Sequence, residues 1–211
     1  MEEKSYRTVK GPAEGEFTER KSRFIGAIAP VKTEEEAQAF LQEVRARHRE
    51  ARHNCFAYVL RDNNTQRFSD DGEPQGTAGK PILEVLLREK LTDVAVVVTR
   101  YFGGVLLGTG GLYRAYSEGC RLAVEAAEKL MMHPATELLI PMDYAFYGKL
   151  QYLLPDYKTV ILDTDFGEEV TQKLMIPTVR LPALLRDITE ASAGSVHPEV
   201  TGERFWPFPE T

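Results

Sequence analysis

Residues 94–111 of the chain read Val-Ala-Val-Val-Val-Thr-Arg-Tyr-Phe-Gly-Gly-Val-Leu-Leu-Gly-Thr-Gly-Gly. The first part is a run of β-branched and other apolar residues, which is typical of a strand buried on both faces. The second part is rich in glycine, which tolerates positive φ and lets another surface approach the backbone closely. A helix is predicted next, over residues 112–131, and its first N–H groups would face the glycine loop. This order of elements therefore predicts a candidate anion site.

The hydrophobic pattern of the residues before this stretch predicts a mixed α+β domain and not a regular βαβ repeat. The elements predicted before it are strands near residues 8–9, 24–29 and 54–60, helices over 34–47 and 82–89, and a long polar loop at 61–79. A loop of that length inside a compact domain is usually functional.

A second domain is predicted after Met132-His133-Pro134-Ala135, because the proline would end the long helix. The elements predicted beyond it are a strand at residues 137–143, a helix at 146–154, a hairpin of strands at 159–165 and 168–177, a helix at 183–192 and a strand at 195–204. This βαββαβ order is that of the ferredoxin-like fold. The predicted domains are therefore residues 1–133 and residues 136–211.

Three blocks of this sequence form a specific pattern: Lys21-Ser22-Arg23-Phe24, then Ala51-Arg52-His53-Asn54-Cys55, and then a spaced pattern from Gly79 through Arg100-Tyr101-Phe102-Gly103-Gly104 to Gly108. In these blocks the chain resembles the IMPACT/YigZ family. The resemblance implies an N-terminal α/β sandwich similar to the second domain of a small-subunit ribosomal protein. It also implies a C-terminal ferredoxin-like domain similar to the last domain of elongation factor G.

The same resemblance implies a link to the control of translation. Eukaryotic members of the family restrain a starvation-responsive kinase. That role is not expected here, because those relatives carry a different N-terminal module where this chain has its ferredoxin-like half.

The composition, 43% hydrophobic and 27% charged residues, is typical of a soluble globular protein. No apolar run approaches the roughly 20 residues that cross a bilayer, and the N-terminus lacks a signal-peptide core. A cytoplasmic protein without a membrane partner is therefore expected. Cys55 and Cys120 lack CxxC spacing, so both are expected to be buried apolar residues.

The charge is unevenly distributed along the chain. Residues 1–135 contain 20 Lys+Arg and 20 Asp+Glu, a net charge of zero, whereas residues 136–211 contain 6 and 12, a net charge of −6. A surface for a polyanion such as RNA is therefore expected on the N-terminal domain, where basic residues cluster between Arg45 and His53. The same cluster also fits a solvated helix end, at which the helix dipole favours cations.

The sequence departs from the common catalytic and cofactor-binding motifs. Gly79-Lys80 is followed by Pro81, where a Walker A loop needs Ser or Thr. The run that begins at Gly108 has Tyr113 where a dinucleotide fingerprint needs its third glycine. The histidines, at 48, 53, 133 and 197, match no zinc pattern. No cofactor, metal or catalytic residue is therefore predicted.

The long loop nevertheless contains three carboxylates within Asp70-Asp71-Gly72-Glu73. Such a group can hold a hard cation or act as acid and base, but the same residues are also turn formers. Arg100 ends a strand that should be buried, so its guanidinium needs partners such as the Asp70 and Asp71 carboxylates, or an external anion. A structural clamp and a ligand-binding role both remain open for Arg100.

Two functions from different classes are compatible with these residues. The first is a non-enzymatic, translation-associated regulatory factor whose N-terminal domain binds RNA, the ribosome or a protein partner. The alternative is a hydrolase of a small phosphorylated or peptide substrate that uses Asp70, Asp71 and Glu73. The long loop and the glycine loop are expected to meet at one face of the N-terminal domain. The binding residues predicted are Arg52, His53, Ser69, Asp70, Asp71, Glu73, Thr77, Lys80, Arg100, Gly103, Gly104, Gly108, Thr109, Gly110, Gly111 and Arg114.

Overall fold

A computed structural model describes residues 4–208 of the protein. The chain is divided into two compact units, one from Tyr6 to Leu130 and one that contains the residues from Met131 onward. Within the described range, the helices all lack the combination of length and apolar character that spans a membrane.

The N-terminal unit contains a five-stranded sheet. The elements of this unit are β1 (Tyr6–Val9), which is not one of the five strands, β2 (Ala13–Glu19), β3 (Ser22–Pro30), α1 (Glu34–Arg47), β4 (His53–Val59), β5 (Gln66–Ser69), α2 (Gly79–Arg88), β6 (Val94–Tyr101) and α3 (Gly108–Ala126). The strand order is β2-β3-β6-β4-β5, and every neighbouring pair in the sheet is antiparallel.

Strand β6 is the centre of this sheet and is buried on both faces, as predicted. Val96 and Val98 pack in the core that the sheet shares with α2 and α3. Ala95 and Val97 point to the opposite face, where they pack with side chains of α1 such as Phe40. Helices therefore cover both faces of the sheet, and the mixed α+β class is confirmed.

The predicted end of the long helix, at residue 131, is wrong. Helix α3 ends at Ala126, because Ala127 adopts an extended conformation with φ −82° and ψ 137°. The chain then enters β7 (Lys129–Met142), which contains Pro134. Pro134 therefore lies inside a strand and does not end the helix. The proposed domain boundary at residues 133–136 lies within this strand.

The C-terminal unit has the βαββαβ order of a ferredoxin-like fold. After β7, its elements are α4 (Tyr144–Leu153), β8 (Val160–Phe166), β9 (Val170–Pro177), α5 (Leu181–Ala191) and β10 (Glu199–Pro207). The strand order is β10-β7-β9-β8, with antiparallel neighbours. Leu138 and Leu174 of the sheet share one core with Leu150 of α4 and Leu184 of α5.

Candidate functional site

A buried ion pair joins the long loop to the end of β6. Nη1 of Arg100 donates to Oε1 of Glu73 at 2.7 Å, and the two side chains are only 6% and 4% exposed. The Tyr116 hydroxyl donates to the same oxygen at 2.7 Å. The prediction that the two loops meet is confirmed. The partner predicted for Arg100, Asp70 or Asp71, is wrong, because Glu73 is the carboxylate that turns inward.

Aromatic rings enclose the Arg100 guanidinium. Its Cζ lies 5.6 Å from the ring centroid of Phe24 and 5.3 Å from that of Phe102. Nη2 is 3.5 Å from the Ser22 hydroxyl, whereas Nε is buried and has no hydrogen-bond partner among the described residues. Arg100 therefore has an internal partner and acts as a clamp within the protein.

Both cysteines are buried and free, as the sequence predicts. Burial raises the pKa of the Cys55 and Cys120 thiols well above the ordinary value. Burial is also the largest cause of the raised pKa of Tyr116, to which Cys55 and Glu73 contribute. At neutral pH these groups are therefore uncharged donors, and the Cys55 thiol donates to the Asp70 carbonyl at 3.0 Å.

Asp70 holds the N-terminus of α2. Its Oδ1 accepts hydrogen bonds from the N–H groups of Ala78 and Gly79 at 3.0 and 2.8 Å. Its Oδ2 accepts a third bond, from the Gly76 N–H at 2.8 Å. A carboxylate at this position neutralises helix N–H groups that would otherwise have no partner, so the side chain has a structural role.

Asp71 fixes the other end of the turn. Its Oδ1 accepts from Arg45 at 2.8 Å, and its Oδ2 accepts from the Asn54 N–H at 2.7 Å. Its carbonyl oxygen lies 2.9 Å from Nδ1 of His53, which donates to it. Asp71 adopts a positive φ of 40°, a conformation that aspartate tolerates better than most residues. The turn interpretation thus accounts for Asp70 and Asp71.

Two further predicted residues, Ser69 and Thr77, also stabilise the loop internally. The Ser69 hydroxyl accepts from the Asp71 N–H at 3.2 Å. The Thr77 hydroxyl donates to the Pro74 carbonyl at 2.6 Å. Across residues 4–208, no three or more His, Cys, Asp and Glu side chains are grouped so that they could hold a metal ion.

The glycine loop is shaped by close approach and by positive φ. A Cβ on Gly103 would lie closer than 3.0 Å to the backbone of Lys21, so only glycine fits there. The Gly103 N–H donates to the Ser22 hydroxyl at 3.2 Å. Gly104 and Gly108 have φ of 83° and 71°, which favours glycine. The turn between β2 and β3 is therefore tied to the loop that leads into α3.

A pocket of about 430 Å³ lies at the N-terminus of α3. Helix α3 begins without a side-chain cap and has no acidic residue in its first turn. Phe102 and Leu106, on the rim, are 55% and 80% exposed. Six of the predicted site residues line the pocket: Arg52, His53, Glu73, Arg100, Gly108 and Thr109.

Other predicted residues lie outside this pocket. Lys80 is on α2, with a side chain that is 60% exposed and 3.9 Å from Glu84. Gly111 and Arg114 line a different pocket, farther along α3. Sequence reasoning missed Ser22 and Tyr116 as partners of the clamp. Helical spacing was the available signal for Tyr116, since it lies one turn after the buried Leu112 of α3.

The comparisons with known proteins match both halves of the chain. The Impact N-terminal domain matches residues 20–124, and a domain of unknown function, DUF1949, matches residues 140–195. The IMPACT family member YvyE of Bacillus subtilis is 41% identical over 197 residues, which are 90% of this chain and 88% of the relative. The chain belongs to the IMPACT family. The family member YigZ of Escherichia coli is 37% identical over 180 residues, covering 84% of this chain and 88% of the relative.

A solved structure extends the likeness to the fold of the whole chain. It is a crystal structure described as that of a hypothetical protein, with a TM-score of 0.61 and 34% sequence identity, covering 97% of this chain and 100% of the other. In this IMPACT family member, every residue that lines the pocket at α3 falls inside the matched Impact N-terminal domain.

Proposed function

We propose that the N-terminal unit binds RNA in a translational setting and acts as a regulatory factor, without catalysing a reaction. The observation that carries the proposal is the uncapped N-terminus of α3, which opens into a pocket lined by Arg52 and His53. Helix N-termini and glycine-loop N–H groups bind phosphate, and such contacts position a nucleic acid without reading its sequence.

The surface around the pocket also suits nucleotide bases. Phe102 and Leu106 expose 55% and 80% of their surface next to the glycine loop. Aromatic side chains on which bases stack, combined with cationic groups that contact the backbone, are the usual means of binding single-stranded nucleic acid. The exposed cations Lys80 and Arg114 would contact phosphates beyond the pocket.

We favour this proposal over the hydrolase alternative, because the three carboxylates of that alternative already have partners inside the protein. Asp70 binds three backbone N–H groups, Asp71 binds Arg45 and Asn54, and Glu73 binds Arg100 and Tyr116. Carboxylates committed in this way are poorly placed to bind a metal or to transfer a proton to a substrate. Arg100 is likewise bound within the protein, so we assign it the role of positioning the pocket wall and not that of a direct RNA ligand.

Membership of the IMPACT family supports the translational setting, because the resemblance to this family implies a link to the control of translation. A protein partner at the same face is the competing outcome. It would bind without the strong salt dependence that phosphate contacts produce.

The test is binding of a fluorescent single-stranded RNA to the full-length protein at several salt concentrations. Three phosphate contacts, from Arg52, Lys80 and Arg114, would give a slope of log affinity against log salt of about −2, and Arg52→Gln should reduce its magnitude by about 0.7. Arg186→Gln, which removes an exposed cation from α5, is the matched control and should leave the slope unchanged. Salt-independent binding, or equal effects of the two substitutions, would contradict the proposal.

A further inference from the structure

A second pocket, of about 560 Å³, lies beside the middle of α3. It is bounded by α3, by the end of α2 and by the turn that follows β2. Four of the side chains that line it are arginines: Arg20, Arg88, Arg114 and Arg121. The whole pocket lies within the N-terminal unit, and Leu107 is the one lining residue that it shares with the pocket at the start of α3.

Two of the four arginines already have carboxylate partners. Arg121 is bound by Glu118 at 2.6 Å and also by Glu125. Arg20 lies 3.9 Å from Glu19, the other acidic residue in the lining. The acidic residues of this pocket are therefore already paired with two of its cations.

Arg88 and Arg114 are the two arginines of the pocket whose positive charge has no carboxylate partner among the described residues. Neither forms a hydrogen bond or an ion pair with another residue in the described part of the chain. Arg88 is presented by the last turn of α2 and Arg114 by the second turn of α3, so they approach the pocket from two separate helices. Positive charges that converge on a concave surface attract an anion.

The floor of the pocket is apolar. Phe17, Leu107 and Ala115 line it, and Phe17 stacks on the buried Phe24 with ring centroids 5.3 Å apart. Ligand pockets commonly combine an apolar surface of this kind with a few charged groups that fix the orientation of the ligand, and their volumes are of this size. The lining therefore suits an anion that carries an organic group, in preference to an inorganic ion.

We infer that this pocket binds a phosphomonoester of mononucleotide size. Its phosphate would lie between Arg88 and Arg114, and its organic group would pack on Phe17 and Leu107. Two uncompensated guanidinium groups match the nearly dianionic phosphomonoester and its several acceptor oxygens. A carboxylate or an internal phosphodiester has a single negative charge and would leave one arginine uncompensated.

The same chemistry has two sources, a free nucleotide and the phosphorylated end of an RNA chain. The inference goes beyond the proposed RNA surface, because Arg114 is shared with that surface whereas Arg88 is not part of it. The Arg88→Gln variant therefore separates the two ideas by experiment.

The test is calorimetric titration of the full-length protein with AMP and with adenosine. We expect AMP to bind saturably at one site and adenosine, which lacks the phosphate, not to bind. Arg88→Gln and Arg114→Gln should each weaken AMP binding by about tenfold, the effect of losing a charge-assisted contact. Arg186→Gln, on α5, is the matched control for loss of an exposed cation and should change the affinity by less than about twofold.

Competition identifies the source of the ligand. Displacement of AMP by a 5′-phosphorylated RNA and not by the 5′-hydroxyl RNA supports an RNA end, whereas displacement by neither supports a free nucleotide. The inference is overturned if titration with AMP up to about 5 mM does not saturate the protein. Only very weak binding would escape detection in a titration to that concentration. It is also overturned if adenosine binds as well as AMP does, or if Arg186→Gln weakens binding as much as Arg88→Gln does. Failure of AMP binding with RNA binding intact overturns this inference alone, and the reverse result overturns the proposed RNA surface alone.

Discussion

At the scale of single residues, the clamp formed by Arg100, Glu73 and Tyr116 determines how the long loop sits against the glycine loop. Both charged groups are almost completely buried. Loss of one partner would leave an uncompensated charge in a medium of low polarity, which is costly. An exposed pair has no such consequence, because water solvates whichever partner remains.

Arg100→Met should therefore lower the free energy of unfolding by about 3 to 5 kcal/mol. The matched control is Lys10→Met, which removes the cation of the Lys10–Glu128 pair, whose side chains are 61% and 63% exposed. The control should cost less than about 1 kcal/mol. Urea unfolding followed by circular dichroism gives both values, and equal losses would contradict the role of the clamp.

Sequence alone predicted that Arg100 needs a partner, because a strand this apolar had to be buried. It did not identify Glu73. Which of three nearby carboxylates turns inward depends on the turn, in which Asp71 adopts φ 40° and Gly72 adopts φ 86°. Residue type and spacing do not encode these angles. The angles direct Asp70 towards α2 and Glu73 towards β6.

At the scale of elements, α3 lies unusually close to the sheet. A Cβ on Gly26 of β3 would come closer than 3.0 Å to the carbonyl oxygen of Gly119 on α3. A Cβ on Gly119 would come within 2.8 Å of the Val98 side chain on β6. Two glycines therefore permit this approach, and it fixes the position of the helix whose N-terminus forms the proposed RNA site.

Gly26→Ala should destabilise the protein by about 3 kcal/mol or more, because the obstacle is backbone and cannot rotate away. The control is Gly11→Ala, since nothing lies within 4 Å of an added Cβ there. That substitution should change stability by less than about 0.5 kcal/mol. Thermal unfolding measures both, and a neutral Gly26→Ala variant would show that the helix sits farther from the sheet.

A second element-scale feature is the network around Glu137, which links three strands of the C-terminal unit. Its carboxylate binds Lys173 of β9 at 2.8 Å, Arg204 of β10 at 2.8 Å and the Thr201 hydroxyl at 2.9 Å. These donors, with Lys173 the strongest, hold the pKa of Glu137 below its ordinary value. Because the folded-state pKa is lowered, the stabilisation is present above the unfolded-state pKa of about 4.3 and is lost as the pH falls through the folded-state pKa.

Glu137→Gln should cost about 1 kcal/mol at pH 7 and progressively less towards pH 3. Trp206, the only tryptophan of the chain, lies in β10, so its fluorescence reports unfolding of this unit. Glu199→Gln, an exposed carboxylate at the start of β10, is the control and should keep the wild-type pH dependence. Identical urea midpoints of the Glu137→Gln and wild-type proteins at all pH values would contradict this account.

The elements that the sequence missed share a physical cause. β2 and β5 are edge strands with glycine or charged residues and little burial, and they exist because β3 and β4 offer them pairing partners. Their patterns contain no strong strand signal. The central strand β6 and the ferredoxin-like order were predictable, because each buries a long and regular apolar pattern.

At the scale of the whole molecule, the charge distribution favours RNA binding by the N-terminal unit and not by the C-terminal unit. Residues 136–211 carry the whole net charge of −6, which disfavours contact with RNA. Residues 1–135 have no net charge, and they provide the N-terminus of α3 and the exposed Phe102 ring in the pocket that Arg52 lines. We therefore expect RNA to contact the N-terminal unit and not the C-terminal unit.

Photocrosslinking of 4-thiouridine RNA to the full-length protein, followed by mass spectrometry of the linked peptides, tests this central claim most directly. The account predicts crosslinks within residues 49–53 and 100–114, with Phe102 prominent because an exposed aromatic ring stacks on bases. The crosslinks should disappear at high salt, where phosphate contacts are lost. Crosslinks confined to residues 136–211, or an absence of crosslinks at low salt, would contradict it.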